Sequence, residues 1–176
     1  MHQVGRHRFV AADMVSAEFS TRFDAAFNSI NSIRYLLSDA DVISHLKLTG
    51  STLRDGSVYI VHLNFAQDGD IPGGHPWTME RDGIRVTTSW EILDEDQNSK
   101  LSHETATFEV ETEGNLEHFE KRHTLRLWLF EDFQELVQRS GQFVIAKIFG
   151  EEFEELKDGE RPSGELGNVY VVLRKA

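Results

Sequence analysis

The chain has 176 residues, of which 39% are hydrophobic and none is cysteine, which fits one globular domain with its own core and excludes disulfides, thiolate metal sites and a cysteine nucleophile. Its formal net charge of −12, from 30 acidic and 18 basic residues, argues against nucleic acid as a partner, because a phosphate backbone would be repelled. Neither an apolar leader segment nor a run of about 18 apolar residues is present, so we expect a soluble, cytoplasmic protein with no membrane span.

Two short apolar runs near the start of the chain predict buried strands. The first is Arg8–Asp13 and the second is Phe23–Phe27, and each ends at a polar residue, Asp13 or Asn28. Neither run alternates polar with apolar side chains, which is typical of parallel strands covered on both faces. We therefore expect an α/β sheet.

A helix and a third strand follow. Ser38 precedes an acidic first turn with Asp41 three residues later, a pattern that predicts the start of a helix. The buried face of this helix is expected to extend to Leu53, and Gly56 is expected to supply the turn that follows it. Ser57–Leu63 is predicted as the third strand. Ligands of α/β sheets lie beyond the carboxyl ends of the parallel strands, so the residues at these strand ends are candidate site residues.

The pattern changes to strict alternation from about Trp77. Asp82 and Gly83 form a two-residue hairpin signal. The alternating segments that follow predict a strongly twisted antiparallel sheet or a pair of hairpins, with Trp90 in the core. These segments are Val86–Ile92, Ala106–Val110 and Leu125–Leu129.

The last third of the sequence returns to the α/β pattern. Apolar residues at helical spacing in Phe130–Val137 predict a helix that Gly141 ends, and Phe143–Phe149 and Asn168–Leu173 predict two more strands. The expected organisation is one domain over residues 1–176, with an α/β core in 8–66 and 130–176 and an antiparallel insert in 75–129.

Five segments, taken in order, carry a resemblance to a known family. "FVAADM", "FDAAFNSINSIRYL", "TLRDGSVYIVHLNF", "LFEDFQELVQRSGQFVIAKIFG" and "YVVLRK" resemble the second half of class I S-adenosylmethionine-dependent methyltransferases. Within that family they resemble small-molecule N-methyltransferases of the glycine and amino-sugar types. The resemblance implies a Rossmann-like methyltransferase sheet. The sequence departs from the family in "LRDGS", which has one glycine where two are usual, and in "SGQF", which stands where the family has "AGF".

The amino-terminal part of the family pattern has no counterpart. The first strand, the glycine-rich loop and the acidic end of the second strand are missing, so the expected sheet is incomplete at its amino-terminal side. In the family's strand order the missing strands lie between the third and fourth, and their absence would leave unpaired edges. We therefore expect that Arg8–Asp13 moves beside Phe23–Phe27, or that a second copy or a partner chain fills the gap.

The resemblance implies S-adenosylmethionine as the cofactor and assigns residues to it. Asp13 would accept a hydrogen bond from the adenine amino group, with Met14 beside the ring; the alternative is that Asp13 caps a loop. Asn28, Ser29 and Ile30 would let the cofactor lie close to a strand end; the alternative is an Asx or Ser turn that leads into a helix.

A second group of residues is expected to border the methyl acceptor. His62 and Asn64, in "VHLNF", resemble the "D-H-x-N-Y" of glycine-type N-methyltransferases. There His62 would hold or deprotonate an acceptor amine or hydroxyl; the alternative is a histidine bonded to a backbone carbonyl. Tyr35 would form a wall of the pocket and Trp77 a lid. The eight histidines lack ligand spacing, so no metal is expected.

The predicted function is methyl transfer from S-adenosylmethionine to a small-molecule amine or hydroxyl. This in-line displacement needs alignment and desolvation rather than a nucleophilic residue. Asp13, Asn28 and His62 are expected to converge on one hollow. Two alternatives remain open: a non-catalytic methyltransferase-like subunit that acts through oligomerisation or a partner chain, and a binding module whose antiparallel sheet holds an apolar ligand.

Overall fold

Two four-stranded sheets and two α-helices make up the part of the chain that the structure, a computed structural model, describes: residues 9–66, 76–157, 159–162 and 167–176. Neither helix in these ranges is long and apolar enough to cross a membrane. The elements are β1 (Phe23–Asn28), a 3-10 helix (Ser32–Tyr35), α1 (Asp39–Thr52), β2 (Leu53–Asn64), β3 (Trp77–Arg81), β4 (Ile84–Asp96), β5 (Leu101–Thr112), β6 (Asn115–Arg126), α2 (Phe130–Ser140), β7 (Phe143–Phe149) and β8 (Asn168–Lys175).

The first sheet has the strand order β1-β2-β8-β7. β1 and β2 are parallel, whereas β8 runs antiparallel to both of its neighbours. α1 and α2 pack on one face of this sheet, where alternate residues of β2 and β8 are completely buried. Each such aliphatic side chain contributes roughly 1.5–3 kcal/mol of transfer free energy to folding. The α/β sheet with an inserted antiparallel sheet that the sequence predicts is thus confirmed.

The second face of the first sheet is only partly covered. Ile60 and His62 of β2 and Tyr170 of β8 point to this face, since they alternate with the buried residues, and all three are half-buried. Phe27 of β1 lies opposite Ile60 in the ladder and is exposed. The aromatic ring of Phe153 stacks on Tyr170 with a centroid separation of 5.0 Å. An apolar strip therefore crosses the sheet on the face away from α1 and α2.

The predicted first strand is wrong. Of Arg8–Asp13, Arg8 lies outside the described residues and the rest is irregular, with Phe9 96% exposed. The expectation that this strand moves beside Phe23–Phe27 is wrong as well, since the ladder of β1 is with β2 alone among the described strands. The segment instead lies against α1, where the carbonyl oxygen of Met14 is 2.9 Å from His45 Nδ1. The described residues of Arg8–Asp13 are exposed, and Val10 and Ala12 line a cavity beside α1 rather than packing in the core.

The start of α1 follows the prediction, but its end does not. The backbone N–H of Asp41 donates to Ser38 Oγ at 3.1 Å, so Ser38 caps the helix as expected. Leu53, expected on the helix, is instead the first residue of β2 and is completely buried. Gly56 lies inside β2 with φ of 76°, where the pairing with β1 is irregular. The glycine thus allows a bulge in the strand rather than ending the helix.

The antiparallel insert is a meander with the order β3-β4-β5-β6. The hairpin predicted at Asp82 and Gly83 is confirmed, and both residues have positive φ, as a type I′ turn requires. The strand predicted at Leu125–Leu129 is displaced, because β6 ends at Arg126 and the following residues lead into α2. The predicted bounds of Phe143–Phe149 agree with β7.

Candidate functional site

The loop that follows β1 is held in an unusual backbone conformation. Ile30 and Asn31 have φ of 53° and 56°, in the left-handed region that glycine prefers. This conformation costs a non-glycine residue roughly 1–2 kcal/mol, and β-branched residues are rare in it. Ile30 is also 80% exposed, so burial of its side chain does not offset this cost. Strain of this kind concentrates at functional sites, which makes the loop a candidate.

His62 holds this loop through its ring and its backbone. The N–H of Ile30 donates to His62 Nδ1 at 3.1 Å, and the N–H of Asn31 donates to the His62 carbonyl oxygen at 3.2 Å. Because Nδ1 accepts a hydrogen bond, the neutral ring carries its hydrogen on Nε2. In this state His62 can donate a hydrogen bond from Nε2, but it has no free ring lone pair with which to take a proton from an acceptor.

Three asparagines, Asn31, Asn64 and Asn168, form a cluster that joins three segments. Asn31 Oδ1 accepts from the N–H of Asn64 at 2.8 Å, and Asn31 Nδ2 donates to Asn168 Oδ1 at 2.8 Å. This asparagine cluster ties the loop after β1 to the end of β2 and the start of β8. Asn64 Oδ1 is buried and has no hydrogen-bond partner among the described residues. A buried acceptor without a partner is costly, so a ligand that supplies a donor here would be favoured.

The insert contributes an aromatic row beside the same loop. Tyr35 Oη lies 2.9 Å from His123 Nδ1 of β6, and the His123 ring stacks on Trp90 of β4 with a centroid separation of 5.1 Å. Trp77, at the start of β3, lies opposite Thr88 and so shares the face of the insert that carries Trp90. We call Tyr35, His123, Trp90 and Trp77 the aromatic row. Tyr35 and Trp77 are exposed, and Trp90 is half-buried rather than in the core as predicted.

A buried ion pair fixes the insert to this loop. Arg34, in the 3-10 helix next to Tyr35, pairs with Glu104 of β5. Glu104 also accepts hydrogen bonds from Ser102 Oγ at 2.7 Å and from the indole N–H of Trp90. The aromatic row is therefore attached to the loop after β1 through side chains that water does not reach.

The structure does not bring Asp13, Asn28 and His62 together on one hollow as the sequence predicted, because the side chains of Asn28 and His62 point to opposite faces of the first sheet. Asn28 accepts the N–H of Ile33 at 2.9 Å and lies opposite Val61, so its side chain is on the face that α1 covers. His62 is on the opposite face, although both residues are at the carboxyl ends of their strands. Asp13 Oδ1 accepts the N–H of Val15 at 3.0 Å, a local turn like the capping alternative. The role of Asp13 toward a cofactor stays a prediction.

Met14 lies on the side of the molecule formed by α1. It lines a cavity of about 240 Å³ together with apolar residues of the preceding segment and with His45. The ring of His45 also lies 2.7 Å from the hydroxyl of Tyr59. Burial lowers the pKa of His45, although the hydrogen bond to the Met14 carbonyl opposes this shift. Burial raises the pKa of Tyr59, so both groups are neutral near pH 7.

Sequence reasoning missed His123 and Glu104. Both lie on alternating strands whose pattern predicts only which face they share. His123 lies opposite Glu104 in the ladder between β5 and β6, and this register brings the two residues beside Tyr35 and Arg34. Among the described residues, no group of three or more histidine, aspartate or glutamate side chains has the geometry of a metal site.

Comparison with known proteins identifies the fold. No protein-family model matches the chain, and no curated protein matches it by sequence. Among solved structures, an S-adenosylmethionine-dependent methyltransferase from Clostridium acetobutylicum ATCC 824 matches with a TM-score of 0.72 and 17% identity, over 96% of this chain and 65% of that one. The chain therefore has the fold of S-adenosylmethionine-dependent methyltransferases.

The names of two further solved structures of this fold state the kind of acceptor on which each enzyme acts. The sugar N-methyltransferase KedS8 from Streptoalloteichus sp ATCC 53650 matches with a TM-score of 0.64 and 20% identity, over 93% of this chain and 60% of that one. CalS10 is an amino pentose methyltransferase from Micromonospora echinaspora that was solved with S-adenosylmethionine bound. It matches with a TM-score of 0.66 and 14% identity, over 93% of this chain and 63% of that one. The chain thus spans between 60% and 65% of the length of these three structures.

Proposed function

We propose that this chain takes part in methyl transfer from S-adenosylmethionine to a small-molecule amine or hydroxyl. The observation that carries the proposal is the strained loop at the carboxyl ends of the parallel strands β1 and β2, in a fold shared with S-adenosylmethionine-dependent methyltransferases. Ligands of α/β sheets bind at this end of the strands. The sugar and amino pentose methyltransferases among the structural neighbours support a small polar acceptor.

The residues at the strand ends suit a sulfonium nucleotide. Asn28, Ser29 and Ile30 would hold the cofactor along the loop, with Asp13 and Met14 toward its adenine end. The exposed position of Ile30 on a fixed backbone gives an apolar contact whose place does not depend on the ligand. Bound there, S-adenosylmethionine would supply an activated methyl group on a positively charged sulfur. The task of this chain is then to align the acceptor and to exclude water.

The acceptor site in this proposal lies between the loop and the aromatic row. Asn64 Oδ1 would accept an N–H or O–H of the acceptor, which fits its lack of a partner among the described residues. His62 Nε2 would donate to an acceptor oxygen. Tyr35 and Trp77 would provide apolar walls. Tyr35 Oη would take the proton that the acceptor loses while it passes its own hydrogen to His123 Nδ1.

We further propose that another polypeptide portion completes this site, from a second copy or from a partner chain. The outer edge of β1 is unpaired among the described strands, and the partly covered face beside it carries Phe27, Tyr170 and Phe153. An unpaired edge next to an apolar face favours the addition of a strand and a helix. The same observation favours a second candidate function, a non-catalytic subunit that stabilises a partner chain through this surface.

Isothermal titration calorimetry with S-adenosylmethionine and S-adenosylhomocysteine tests the proposal. Micromolar binding is expected of the methyltransferase, whereas absence of heat with either compound would favour the non-catalytic subunit. Ile30→Asn changes only an exposed side chain, since asparagine tolerates the left-handed backbone, and should weaken binding about tenfold. Leu116→Asn is the matched control, because Leu116 is a 68% exposed apolar residue on β6.

A further inference from the structure

We propose that Asn31 is a positioning residue that fixes the ligand-binding loop of this protein against β2 and β8. The inference rests on the proposed function, because it concerns the loop to which that function assigns the cofactor. Asn31 donates its backbone N–H to the His62 carbonyl oxygen at 3.2 Å, and its side chain makes the two bonds of the asparagine cluster, to Asn64 and Asn168. One residue thus joins three segments that are distant in the sequence.

An ordinary turn does not require this arrangement. Ser29 already closes the turn, since its carbonyl oxygen accepts from the N–H of Ser32 at 3.1 Å and from Ser32 Oγ at 2.7 Å. The side chain of Asn31 forms its hydrogen bonds with residues 33 and 137 positions away in the sequence instead. A turn-forming asparagine bonds its own neighbours, so these long-range bonds indicate that the side chain serves to place the loop.

The bonds of Asn31 have two consequences for a ligand. By holding the backbone that follows Ile30, Asn31 keeps the Ile30 N–H on His62 Nδ1 and so sets the tautomer that leaves Nε2 as a donor. By accepting the N–H of Asn64, it fixes the residue whose Oδ1 lacks a partner in the described part of the chain. Asn31 itself would touch neither reacting atom.

The test compares two variants of Asn31 with a matched control. Asn31→Gly keeps a residue that accepts φ of 56° but removes both side-chain bonds. Asn31→Asp keeps the acceptor for the N–H of Asn64, and the amide of Asn168 can rotate to donate to it. Glu113→Gly is the control, because Glu113 is an exposed residue of the β5–β6 turn with φ of 48°.

Calorimetry with S-adenosylhomocysteine and amide hydrogen exchange are the two measurements. Asn31→Gly should weaken binding of S-adenosylhomocysteine at least about tenfold and speed exchange of the Ile30 and Asn64 amides. Its Tm should be close to that of Glu113→Gly. Asn31→Asp should keep an affinity and amide exchange rates close to those of the wild type. A merely structural role would lower Tm in step with affinity, which would overturn the proposal.

The two proposals fail in different ways. If the wild-type protein binds neither S-adenosylmethionine nor S-adenosylhomocysteine, the proposed function fails. Faster exchange at Ile30 and Asn64 in Asn31→Gly, and not in Glu113→Gly, would still support positioning by Asn31. Exchange at these amides that stays at the wild-type rate in Asn31→Gly would overturn the positioning role, whether or not the cofactor binds.

Discussion

The guanidinium of Arg34 lies 2.5 Å from the carboxylate of Glu104, and water reaches almost none of either side chain. Arg34 belongs to the 3-10 helix that follows the loop after β1, whereas Glu104 belongs to β5 of the antiparallel insert. The Arg34 guanidinium also donates from Nε to the carbonyl oxygen of Arg126 at 3.0 Å. The pair thus fixes how the insert sits over the candidate site.

Removing one partner of this pair should destabilise the protein strongly. Glu104→Ala would leave the Arg34 charge buried without its counter-ion, and the expected loss is about 3–5 kcal/mol in the free energy of unfolding. The double variant Arg34→Met with Glu104→Leu should lose much less, because no buried charge is left. Urea unfolding followed by circular dichroism measures both.

An exposed ion pair provides the control for that experiment. Glu135 pairs with Arg139 on the surface of α2 at 3.2 Å, and Glu135→Ala should cost less than about 1 kcal/mol. If Glu104→Ala costs no more than this control, water solvates the Arg34–Glu104 pair and the insert is held by other contacts.

Low pH should reduce the free energy of unfolding, partly because it protonates Asp39, the first residue of α1. The hydrogen bond from Arg126, whose guanidinium is 2.6 Å away, holds the pKa of Asp39 below its usual value of 3.8. A carboxyl group whose pKa is lower in the folded protein than in the unfolded chain stabilises the folded state at pH values above its unfolded pKa. This stabilisation is lost as the pH falls through its folded pKa. Asp39 is about half exposed, so the effect should stay below roughly 1 kcal/mol.

The comparison for this prediction is the free energy of unfolding as a function of pH. Asp39→Asn should be less stable than the wild type above about pH 4, and the two curves should approach each other at lower pH. Asp24→Asn serves as the reference, since Asp24 is an exposed residue of β1. Parallel curves for the wild type and Asp39→Asn down to the lowest pH would mean that Arg126 does not stabilise the carboxylate.

The parts of the fold that depend on local pattern were predictable from sequence. Ser38 with its acidic first turn predicted the start of α1. The alternation of polar and apolar residues around the Asp82-Gly83 turn predicted the first hairpin of the insert. The fold class and the polar loop at the end of β1 followed from apolar runs that end in small polar residues. Each of these signals lies within a few neighbouring residues, where the physical cause is also local.

The parts that depend on distant partners were not predictable. The segment before Asp13 has the composition of a strand, yet its described residues are irregular and exposed, although the outer edge of β1 is unpaired among the described strands. The contact of Tyr35 with His123 joins residues 88 positions apart, and that of Arg34 with Glu104 joins residues 70 positions apart. Both pairs depend on how the insert packs on the 3-10 helix, and a single sequence does not specify that packing.

A histidine inside the structure should make stability depend on pH near neutrality. His45 of α1 lies between the Met14 carbonyl oxygen and the Tyr59 hydroxyl, and burial lowers its pKa from the usual 6.5. Between the folded pKa and about 6.5 the unfolded chain therefore binds a proton that the folded protein does not. Stability from this residue is complete above that window and declines as pH falls through it.

His45→Gln removes the titration while its amide can still bond both partners, so it isolates this effect. The wild type should lose more free energy of unfolding than His45→Gln between about pH 7.5 and about pH 5.5. His118→Gln, at an exposed position of β6, should behave as the wild type. Equal losses in the wild type and His45→Gln would contradict the prediction, because they would mean that burial between Met14 and Tyr59 does not disfavour the protonated form of His45.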